Sequence, residues 1–367
     1  MKRVLILSCA TGQGHNSAGL AVLDELKSRN VETIMLDPIS LSGEKPSKIV
    51  SNAYNSVALH APKLFGTAYK AAMTISSKRL KSVIYAANTL YSETLYKFIY
   101  NNDFDAIVTP HLFPAEALTF IKKHYKLTVP CYAIGTDYCC IPFWEETCLD
   151  GYFVPHKELM SEFSSRGVPE NKLNPTGIPV RKQMLKDEDK MIARLSLGLN
   201  QNGRIMLLMS GSMGFGNMQS FVTKIRQHSD MDTQIVILGG NNTAMKDAIR
   251  GRFLMDEHVK VVDFTRDVPL YMDASDVLLT KPGGLTSTEA AVKHIPLVHT
   301  FPIPGCETKN AQFFSSHGLS ITSGNEDGLV EAAMALIRNK NACDVMKERQ
   351  KAEINRFAAR DICDVIL

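Results

Sequence analysis

The chain has 367 residues, of which 45% are hydrophobic and 22% charged, and this composition is typical of a globular protein with two domains of ordinary size. Its formal net charge of +3 is too small to indicate nucleic acid binding by itself. No segment approaches the ~20 apolar residues of a membrane-spanning helix. The eight cysteines include no Cys-x-x-Cys pair, so neither a zinc site nor a disulfide framework is indicated. Without a signal peptide, the sequence predicts a reducing cytoplasmic location.

Strands and helices alternate along the first half of the chain. Strands are predicted at Arg3–Ser8, Thr33–Asp37, Asp105–Thr109, Val129–Gly135 and Tyr152–Val154. The first strand is followed by a loop at Thr11–Ala18 and by a helix over Ala21–Ser28. Two prolines and a glycine interrupt the pattern at Asn174–Val180, which predicts a hinge there.

A long helical insertion is predicted between the second and third strands, over Lys45–Tyr100. Between Lys45 and Ser92 it contains no aspartate or glutamate. Its seven basic residues are Lys45, Lys48, Lys63, Lys70, Lys78, Arg79 and Lys81. Aromatic and aliphatic residues lie between them, partly at helical spacing, and this combination favours an anionic membrane surface. For any one helix, a solvated basic face opposite an apolar core face is the alternative interpretation.

The alternation restarts after the hinge. Strands are predicted at Arg204–Met209, Gln234–Leu238, Val259–Val262, Asp276–Thr280, Pro296–His299 and Leu319–Ile321. Strands that alternate with helices form parallel sheets covered by helices on both faces, so two such α/β units are expected. A helical tail begins near Ala342 and is a candidate to pack back on the first unit.

Glycine-rich loops follow three of the predicted strands. They are Thr11–Ala18, Ser210–Asn217 and Lys281–Gly284, and the last leads into a helix over Thr286–Val292. Free backbone N–H groups at the start of a helix suit a diphosphate. Glu289 lies about one turn into that helix, where its carboxylate is placed to accept hydrogen bonds from the hydroxyls of a ribose. None of the loops matches the dinucleotide fingerprint or the P-loop, which disfavours dinucleotides and ATP.

Taken in order, these loops and three further motifs resemble the family 28 glycosyltransferases. The pattern is most similar to monogalactosyldiacylglycerol synthases and to bacterial processive diacylglycerol glucosyltransferases. The matching elements are Thr11–Ala18, Gly135–Asp137, Gly177–Val180, Gly211–Gly214, Lys281–Gly284 with Glu289, and Pro304–Ala311. Each element is weak alone, but six in the family's order and spacing form a strong match over nearly the whole chain. Cys306 stands where related synthases often have glutamine, which leaves glucose and galactose open as the donor sugar.

The resemblance implies a GT-B fold, with two Rossmann-like domains that face a central cleft. An acceptor- and membrane-binding domain is expected over residues 1–178, with the helical insertion at about 43–100. A UDP-sugar-binding domain is expected over 179–345, and residues 346–367 would form the returning C-terminal helix. The implied reaction is inverting transfer of a hexose from a UDP-sugar to diacylglycerol, by an enzyme bound peripherally to the cytoplasmic face of the membrane.

Site residues are carried over from the family to matching positions only. The donor-binding set is Ser212, Met213, Gly214, Phe264, Thr265, Arg266, Gly283, Gly284, Leu285, Thr286, Glu289, Glu307 and Asn310. The acceptor and membrane set combines two glycines of the matching N-terminal loop with residues chosen for their charge or aromatic character, and it is Gly12, Gly14, Lys63, Lys70, Lys78, Arg79, Lys81 and Trp144. His15 matches the family's proposed catalytic base, and Asp137 either orients His15 or serves as the base itself. His111 is a further candidate for the acceptor site, whereas His156 and His299 are interpreted equally well as structural residues.

No cofactor and no metal requirement are expected. The three Asp-x-Asp pairs, at Asp103, Asp187 and Asp230, are interpreted as solvated surface, and helix N-termini would stabilise the departing diphosphate instead. Three other functions remain open. They are an N-acetylglucosaminyltransferase with a polyprenyl-linked acceptor, a UDP-N-acetylglucosamine 2-epimerase, and a nucleotide-sugar sensor without catalytic activity.

Overall fold

Buried runs of aliphatic residues form the central strands of two parallel sheets. Val4 to Leu7 and Ile205 to Leu208 are 0–1% exposed, as expected for strands that are covered on both faces by helices. The computed structural model describes residues 2–9, 13–42, 67, 69, 71–72, 81–209 and 218–367. The chain divides into two compact units. The first unit comprises Met1–Lys182, Ile303–Lys309 and Asn355–Leu367, and the second comprises Gln183–Pro302 and Asn310–Ile354.

The sheet of the first unit has six parallel strands in the order β2-β1-β3-β4-β5-β6. They are β1 Arg3–Leu7, β2 Glu32–Leu36, β3 Ala106–Thr109, β4 Cys131–Ile134, β5 Gly151–Phe153 and β6 Leu173–Asn174. The five strands predicted in this half are confirmed, with ends that shift by no more than two residues. The sixth strand was missed because it has only two residues and a proline follows it at once.

Helices of the first unit cover both faces of this sheet. They are α1 Gln13–Ser28, α2 Val83–Thr89, α3 Ser92–Tyr100, α4 Leu112–His124, α5 Met160–Ser165 and α14 Ala358–Ile366. The prediction that the first helix begins at Ala21 is wrong, because α1 begins at Gln13. Most of the predicted helical insertion lies outside the described residues, and its last part forms α2 and α3. Among the described residues, no helix combines the length and the apolar character needed to cross a membrane.

The C-terminal segment completes the core of the first unit. Ile362 and Cys363 of α14 are fully buried in one cluster with Val4 and Val22. Gly177 has a φ of +95°, which favours glycine, and a Cβ built there would lie 3.3 Å from Cβ of Ala358. The tail was predicted to return from residue 346, whereas in the structure it joins the first unit only from residue 355.

The sheet of the second unit also has six parallel strands, in the order β12-β11-β10-β7-β8-β9. They are β7 Arg204–Met209, β8 Thr233–Leu238, β9 Val259–Val262, β10 Val277–Thr280, β11 Leu297–His299 and β12 Ile321–Thr322. From the other edge this is the doubly wound order of a Rossmann fold. The predicted strands are confirmed except at the edge, where β12 begins at the last residue of the predicted Leu319–Ile321.

Helices of the second unit precede its first strand, connect successive strands and follow the last one. They are α6 Lys190–Ser196, α7 Met218–His228, α8 Thr243–Arg252, α9 Val268–Ala274, α10 Gly284–Val292, α11 Cys306–Ser316, α12 Glu326–Arg338 and α13 Lys340–Glu353. The first four residues of α11 belong to the first unit. Helix α10 begins two residues before the predicted Thr286, so Gly283 caps it and Gly284 is its first residue.

The order of strands predicts where each sheet binds a ligand. In an open parallel sheet, ligands bind beyond the carboxyl ends of the strands, at the point where the strand order reverses. That point lies between β1 and β3 in the first unit and between β7 and β10 in the second. His15 and His111 follow the first pair of strands, and the loop at Lys281–Gly284 follows β10.

In the first unit, a buried carboxyl group joins helices α2 and α4. Glu116 of α4 is fully buried, and its Oε2 accepts a hydrogen bond of 2.6 Å from Asn88 Nδ2 of α2. Burial raises the pKa of Glu116 to about 8, with a smaller contribution from the charge of Glu146, while Asn88 and Lys81 act in the opposite direction. Glu116 is therefore a neutral acid through most of the physiological range.

We predict that Glu116→Gln changes the pH dependence of stability. The folded state keeps a proton that the unfolded state releases, so the free energy of unfolding of the wild type falls as pH rises from about 4.5 to about 8. The amide of the variant cannot ionise, so its free energy of unfolding does not fall in this way. Relative to wild type, that free energy should rise by on the order of 3 to 5 kcal/mol over the window. Urea denaturation at pH 5, 6.5 and 8 measures this difference. The exposed Glu93→Gln is the matched control, and equal pH trends for wild type and Glu116→Gln would contradict the assignment.

Candidate functional site

A small cavity of about 80 Å³ opens at the switch point of the first sheet. We call it the histidine pocket, and it is lined by His15, Pro110, His111, Leu112, Thr136, Asp137, Cys139, Ile141 and Trp144. The lining follows the ends of three neighbouring strands, β1, β3 and β4. Its polar groups are two imidazoles, a hydroxyl and a carboxylate, and these are groups that transfer and orient protons.

Two hydrogen bonds to one ring nitrogen orient His15, which lies in the first turn of α1. Nδ1 is 2.9 Å from the carbonyl oxygen of Pro110 and 3.0 Å from Oγ1 of Thr136. A carbonyl oxygen only accepts hydrogen bonds, so Nδ1 carries the hydrogen and donates it to Pro110. Nε2 then keeps its lone pair, and this tautomer is the one required of a general base.

The pKa of His15 lies below its ordinary value of 6.5. Burial is the largest cause, while the charge of Asp137 and the hydrogen bond to Pro110 raise the pKa by less. His15 is therefore neutral at pH 7 and ready to accept a proton. Asp137 stabilises the imidazolium that forms when it does.

His111 completes the pair of imidazoles. Its ring packs edge to face against that of His15, with the ring centroids 4.6 Å apart. Its Nδ1 accepts a hydrogen bond of 3.1 Å from the backbone N–H of Phe113, which caps α4. Burial, followed by the nearby His15, holds the pKa of His111 well below 6.5. The sequence identified His111 only as a further acceptor candidate, because the contact between the two rings depends on the pairing of β1 with β3.

Trp144 lies in the wall of the histidine pocket. Its side chain is 4% exposed and packs edge to face on Tyr152. Trp144 belongs to the predicted acceptor and membrane set, and its burial places it beside His15 in the pocket wall instead of at an exposed surface. Gly14 is the residue before His15 in the first turn of α1.

The segment before α11 forms a second contact region in the first unit. Gly305 has a φ of +126°, and a Cβ built there would lie 3.1 Å from the ring of Tyr69. Glu307 is 8% exposed, and its Oε2 accepts a hydrogen bond of 2.8 Å from the backbone N–H of Ile303. The carboxylate of Glu307 therefore already closes the turn that begins this helix.

In the second unit, the start of α10 presents an open backbone. We call the segment Lys281–Gly284 the glycine loop. Among the described residues other than its two chain neighbours, no atom lies within 4 Å of a Cβ built on Gly283. Leu285 and Thr286 are half-buried in the first turn, and Glu289 in the next turn is 7% exposed. This arrangement offers an anion several backbone N–H groups at the positive end of a helix dipole.

Two hydrogen bonds hold the glycine loop in place. Asn310 is fully buried, and its Nδ2 donates to the carbonyl oxygen of Pro282 at 3.0 Å. Thr280 Oγ1 donates to the carbonyl oxygen of Met209 at 3.0 Å, which ties the end of β10 to the end of β7. Asn310 belongs to the predicted donor-binding set, and in the structure its amide nitrogen supports the loop of that set.

The segment after β9 is the remaining part of the predicted donor set. Phe264 is 62% exposed, and Arg266 is also exposed. Thr265 Oγ1 accepts a hydrogen bond of 3.0 Å from the backbone N–H of Asp267. Because β7 and β8 lie between β10 and β9, this segment is roughly 14 Å across the sheet from the glycine loop. An extended nucleoside diphosphate has a similar length.

Comparison with known proteins matches each half of the chain to a family model. Residues 15–180 match the family model for monogalactosyldiacylglycerol synthase, and residues 205–364 match the C-terminal domain of glycosyltransferase family 28. The chain belongs to the family 28 glycosyltransferases. A curated relative, the processive diacylglycerol beta-glucosyltransferase of Bacillus pumilus, is 23% identical over 378 residues, which cover 100% of this chain and 94% of the relative.

Solved structures with low sequence identity share the fold. Acinetobacter baumannii MurG has a TM-score of 0.66 at 13% identity, covering 100% of this chain and 99% of that one. The S. aureus MnaA–UDP co-structure has a TM-score of 0.67 at 13% identity, covering 100% and 96%. The expected GT-B architecture, with two Rossmann-like domains, is thus confirmed for this family 28 enzyme.

Several predicted site residues of the glycosyltransferase lie outside the described residues. They are Gly12, Lys63, Lys70, Lys78, Arg79, Ser212, Met213 and Gly214. Lys81 is described and exposed, its ammonium donates to the carbonyl oxygen of Glu146, and it lies 4.9 Å from the ring centroid of Tyr85.

We predict that Asp137→Asn lowers the pKa of His15 further. The substitution removes the negative charge that favours the imidazolium and raises the pKa of His15. Burial, which lowers this pKa, is then offset only by the hydrogen bond to Pro110. An NMR titration of the histidine rings, with His15 assigned from a His15→Asn spectrum, measures the change. The buried His299 in the second unit serves as internal control. An unchanged or higher pKa for His15 would show that Asp137 does not act on it.

Proposed function

We propose that this glycosyltransferase transfers a hexose from a UDP-sugar to the free hydroxyl of diacylglycerol, with inversion, at the cytoplasmic surface of the membrane. The observation that carries the proposal is the fixed tautomer of His15. Nδ1 donates to Pro110, and Nε2 is left to take a proton inside a pocket at the switch point of the sheet. The curated relative is named for a diacylglycerol acceptor, which supports the same lipid here.

The small size of the histidine pocket supports an acceptor of which only the end that carries the hydroxyl enters the pocket. At about 80 Å³ the cavity is small, which suits entry of the hydroxymethyl end of the acceptor. Leu112, Ile141 and Trp144 supply an apolar wall for the glycerol carbon beside that hydroxyl.

The proposed chemical step is a single displacement. The acceptor hydroxyl attacks the anomeric carbon as His15 Nε2 removes its proton, and the bond from that carbon to the diphosphate oxygen breaks. The charge that appears on His15 is stabilised by the carbonyl of Pro110 and by Asp137. General base catalysis of this kind contributes about 10²- to 10⁴-fold.

The glycine loop and α10 are proposed to bind the donor. Negative charge that develops on the departing diphosphate would be stabilised by the backbone N–H groups at Gly284, Leu285 and Thr286. Glu289 would accept hydrogen bonds from the ribose hydroxyls, and Phe264 would frame the base. The UDP in the structurally similar MnaA supports a uridine nucleotide. We propose that no divalent metal is required, because the helix N-terminus supplies the positive potential.

Helix α2 is proposed to contact the membrane. Val83 and Leu90 are 86% and 85% exposed, which is unusual for aliphatic side chains. Val83 begins α2 and Leu90 directly follows it, and both lie within the acid-free sequence Lys45–Ser92, whose basic residues precede them. Exposed aliphatic side chains next to basic residues suit an anionic bilayer. Peripheral attachment would hold the histidine pocket near its lipid substrate.

We predict that His15→Ala abolishes glycolipid formation while UDP binding is retained. Purified protein is incubated with diacylglycerol vesicles, EDTA and radiolabelled UDP-glucose, UDP-galactose or UDP-N-acetylglucosamine. One donor should give a labelled lipid, and His15→Ala should reduce the rate at least about 100-fold.

Three results would count against the proposal. A His15→Ala rate close to wild type would reject His15 as the base. Product formed only after magnesium is added would reject the metal-free mechanism. No product from any donor would reject diacylglycerol as acceptor and favour a polyprenyl-linked acceptor or a sensor.

We predict that Val83→Ser with Leu90→Ser weakens binding to vesicles that contain anionic lipid by about tenfold, because two exposed apolar side chains no longer enter the bilayer. Vesicle co-sedimentation measures the binding. The matched control is Leu254→Ser with Met255→Ser, since these side chains of the second unit are 80% and 94% exposed. Equal losses in both double variants would argue against a specific role of α2.

A further inference from the structure

A buried histidine in the second unit bridges two serines. His299 is fully buried at the end of β11, with Nε2 2.8 Å from Oγ of Ser287 and Nδ1 3.0 Å from Oγ of Ser320. The proposed catalytic mechanism uses none of these three residues. Both ring nitrogens are hydrogen-bonded, so the ring is fixed in position and in rotation about its axis.

The two serines lie in different parts of the unit. Ser287 is on α10, one turn after Gly283, and its backbone N–H donates to the carbonyl oxygen of Gly283 at 3.0 Å. Ser320 lies just before β12 at the edge of the sheet. His299 pairs in parallel register with Thr280, the last residue before the glycine loop. The bond from Nε2 to Ser287 therefore spans from the sheet to the first turns of α10.

Burial lowers the pKa of His299 to about 3, so the ring is neutral at physiological pH. A neutral imidazole has one N–H and one lone pair, hence one serine donates to the ring and the other accepts from it. The two hydrogen bonds therefore fix the orientation of the His299 ring without placing a positive charge near α10. Any attraction of α10 for an anion comes from its own backbone.

We propose that His299 is a positioning residue that sets the start of α10 for the diphosphate of the donor, acting through Ser287. The proposal rests on the proposed UDP-sugar site. A displacement of the first turn by a fraction of an ångström misaligns several N–H groups at once, whereas loss of the Ser320 contact affects only the edge of the sheet. The two serines thus provide variants that each remove one hydrogen bond from the same ring.

The test measures UDP affinity by calorimetry and thermal stability on the same full-length proteins. Ser287→Ala should weaken UDP binding about tenfold, in line with one hydrogen bond of about 1.4 kcal/mol. Ser320→Ala should stay within about twofold of wild type, although both variants lose a hydrogen bond and both should unfold at lower temperature.

Two substitutions of the ring itself provide a rescue test. The amide of glutamine lies near the place of Nε2, and that of asparagine lies near the place of Nδ1. His299→Gln should therefore retain most of the UDP affinity, while His299→Asn should lose it as Ser287→Ala does. Equal UDP affinities for the glutamine and asparagine variants, or equal effects of the two serine variants, would overturn the proposal and leave His299 a purely structural residue.

Glu289→Gln separates this inference from the function on which it rests. If wild type binds UDP and Glu289→Gln weakens that binding while Ser287→Ala does not, the donor site stands and the role of His299 is rejected. If wild type binds neither UDP nor a UDP-sugar, both proposals are rejected together.

Discussion

Parallel strand pairing is the constraint on which both candidate sites depend. A parallel sheet brings the carboxyl ends of all its strands to one edge, and a reversal of strand order leaves a gap between the two loops beside it. In the first unit that gap separates the loops after β1 and β3, which carry His15 and His111. In the second unit it lies between β7 and β10, whose ends are joined by the hydrogen bond from Thr280 to Met209. The same rule thus produced an imidazole pair in one unit and an open helix start in the other.

Strands and loops could be predicted from the sequence because their signals are local. Aliphatic runs such as Ile205–Met209 are short for helices and are soon followed by glycine, and this combination is typical of a buried parallel strand. The positions of the glycine loop and of Glu289 at the start of a helix could be predicted in the same way, because they depend only on residue spacing within one short segment. The bounds of α1 were less certain because Gln13–Ala18 contains small and polar residues that suit either a loop or a helix.

The contacts that give each residue its chemistry depend on pairing between distant segments. The ring contact between His15 and His111 requires residues 96 positions apart to follow adjacent strands. The burial of Trp144 depends on its packing against Tyr152, and the bond from Asn310 to Pro282 depends on how α11 packs. A lone tryptophan or asparagine looks the same in the sequence whether its side chain is exposed or buried. The burial of Trp144 and the hydrogen bond of Asn310 could therefore not be predicted from the chain alone.

His15 and His299 show how the same side chain serves two purposes. Burial lowers the pKa of both, so charge does not distinguish them. The difference lies in the hydrogen bonds, because the described contacts of His15 use only Nδ1, whereas those of His299 use both nitrogens. A ring that keeps one lone pair toward a cavity is suited to accept a proton, and the nearby Asp137 stabilises the resulting charge. A ring with both nitrogens bound has no such capacity, and what it contributes is a fixed distance between β11 and α10.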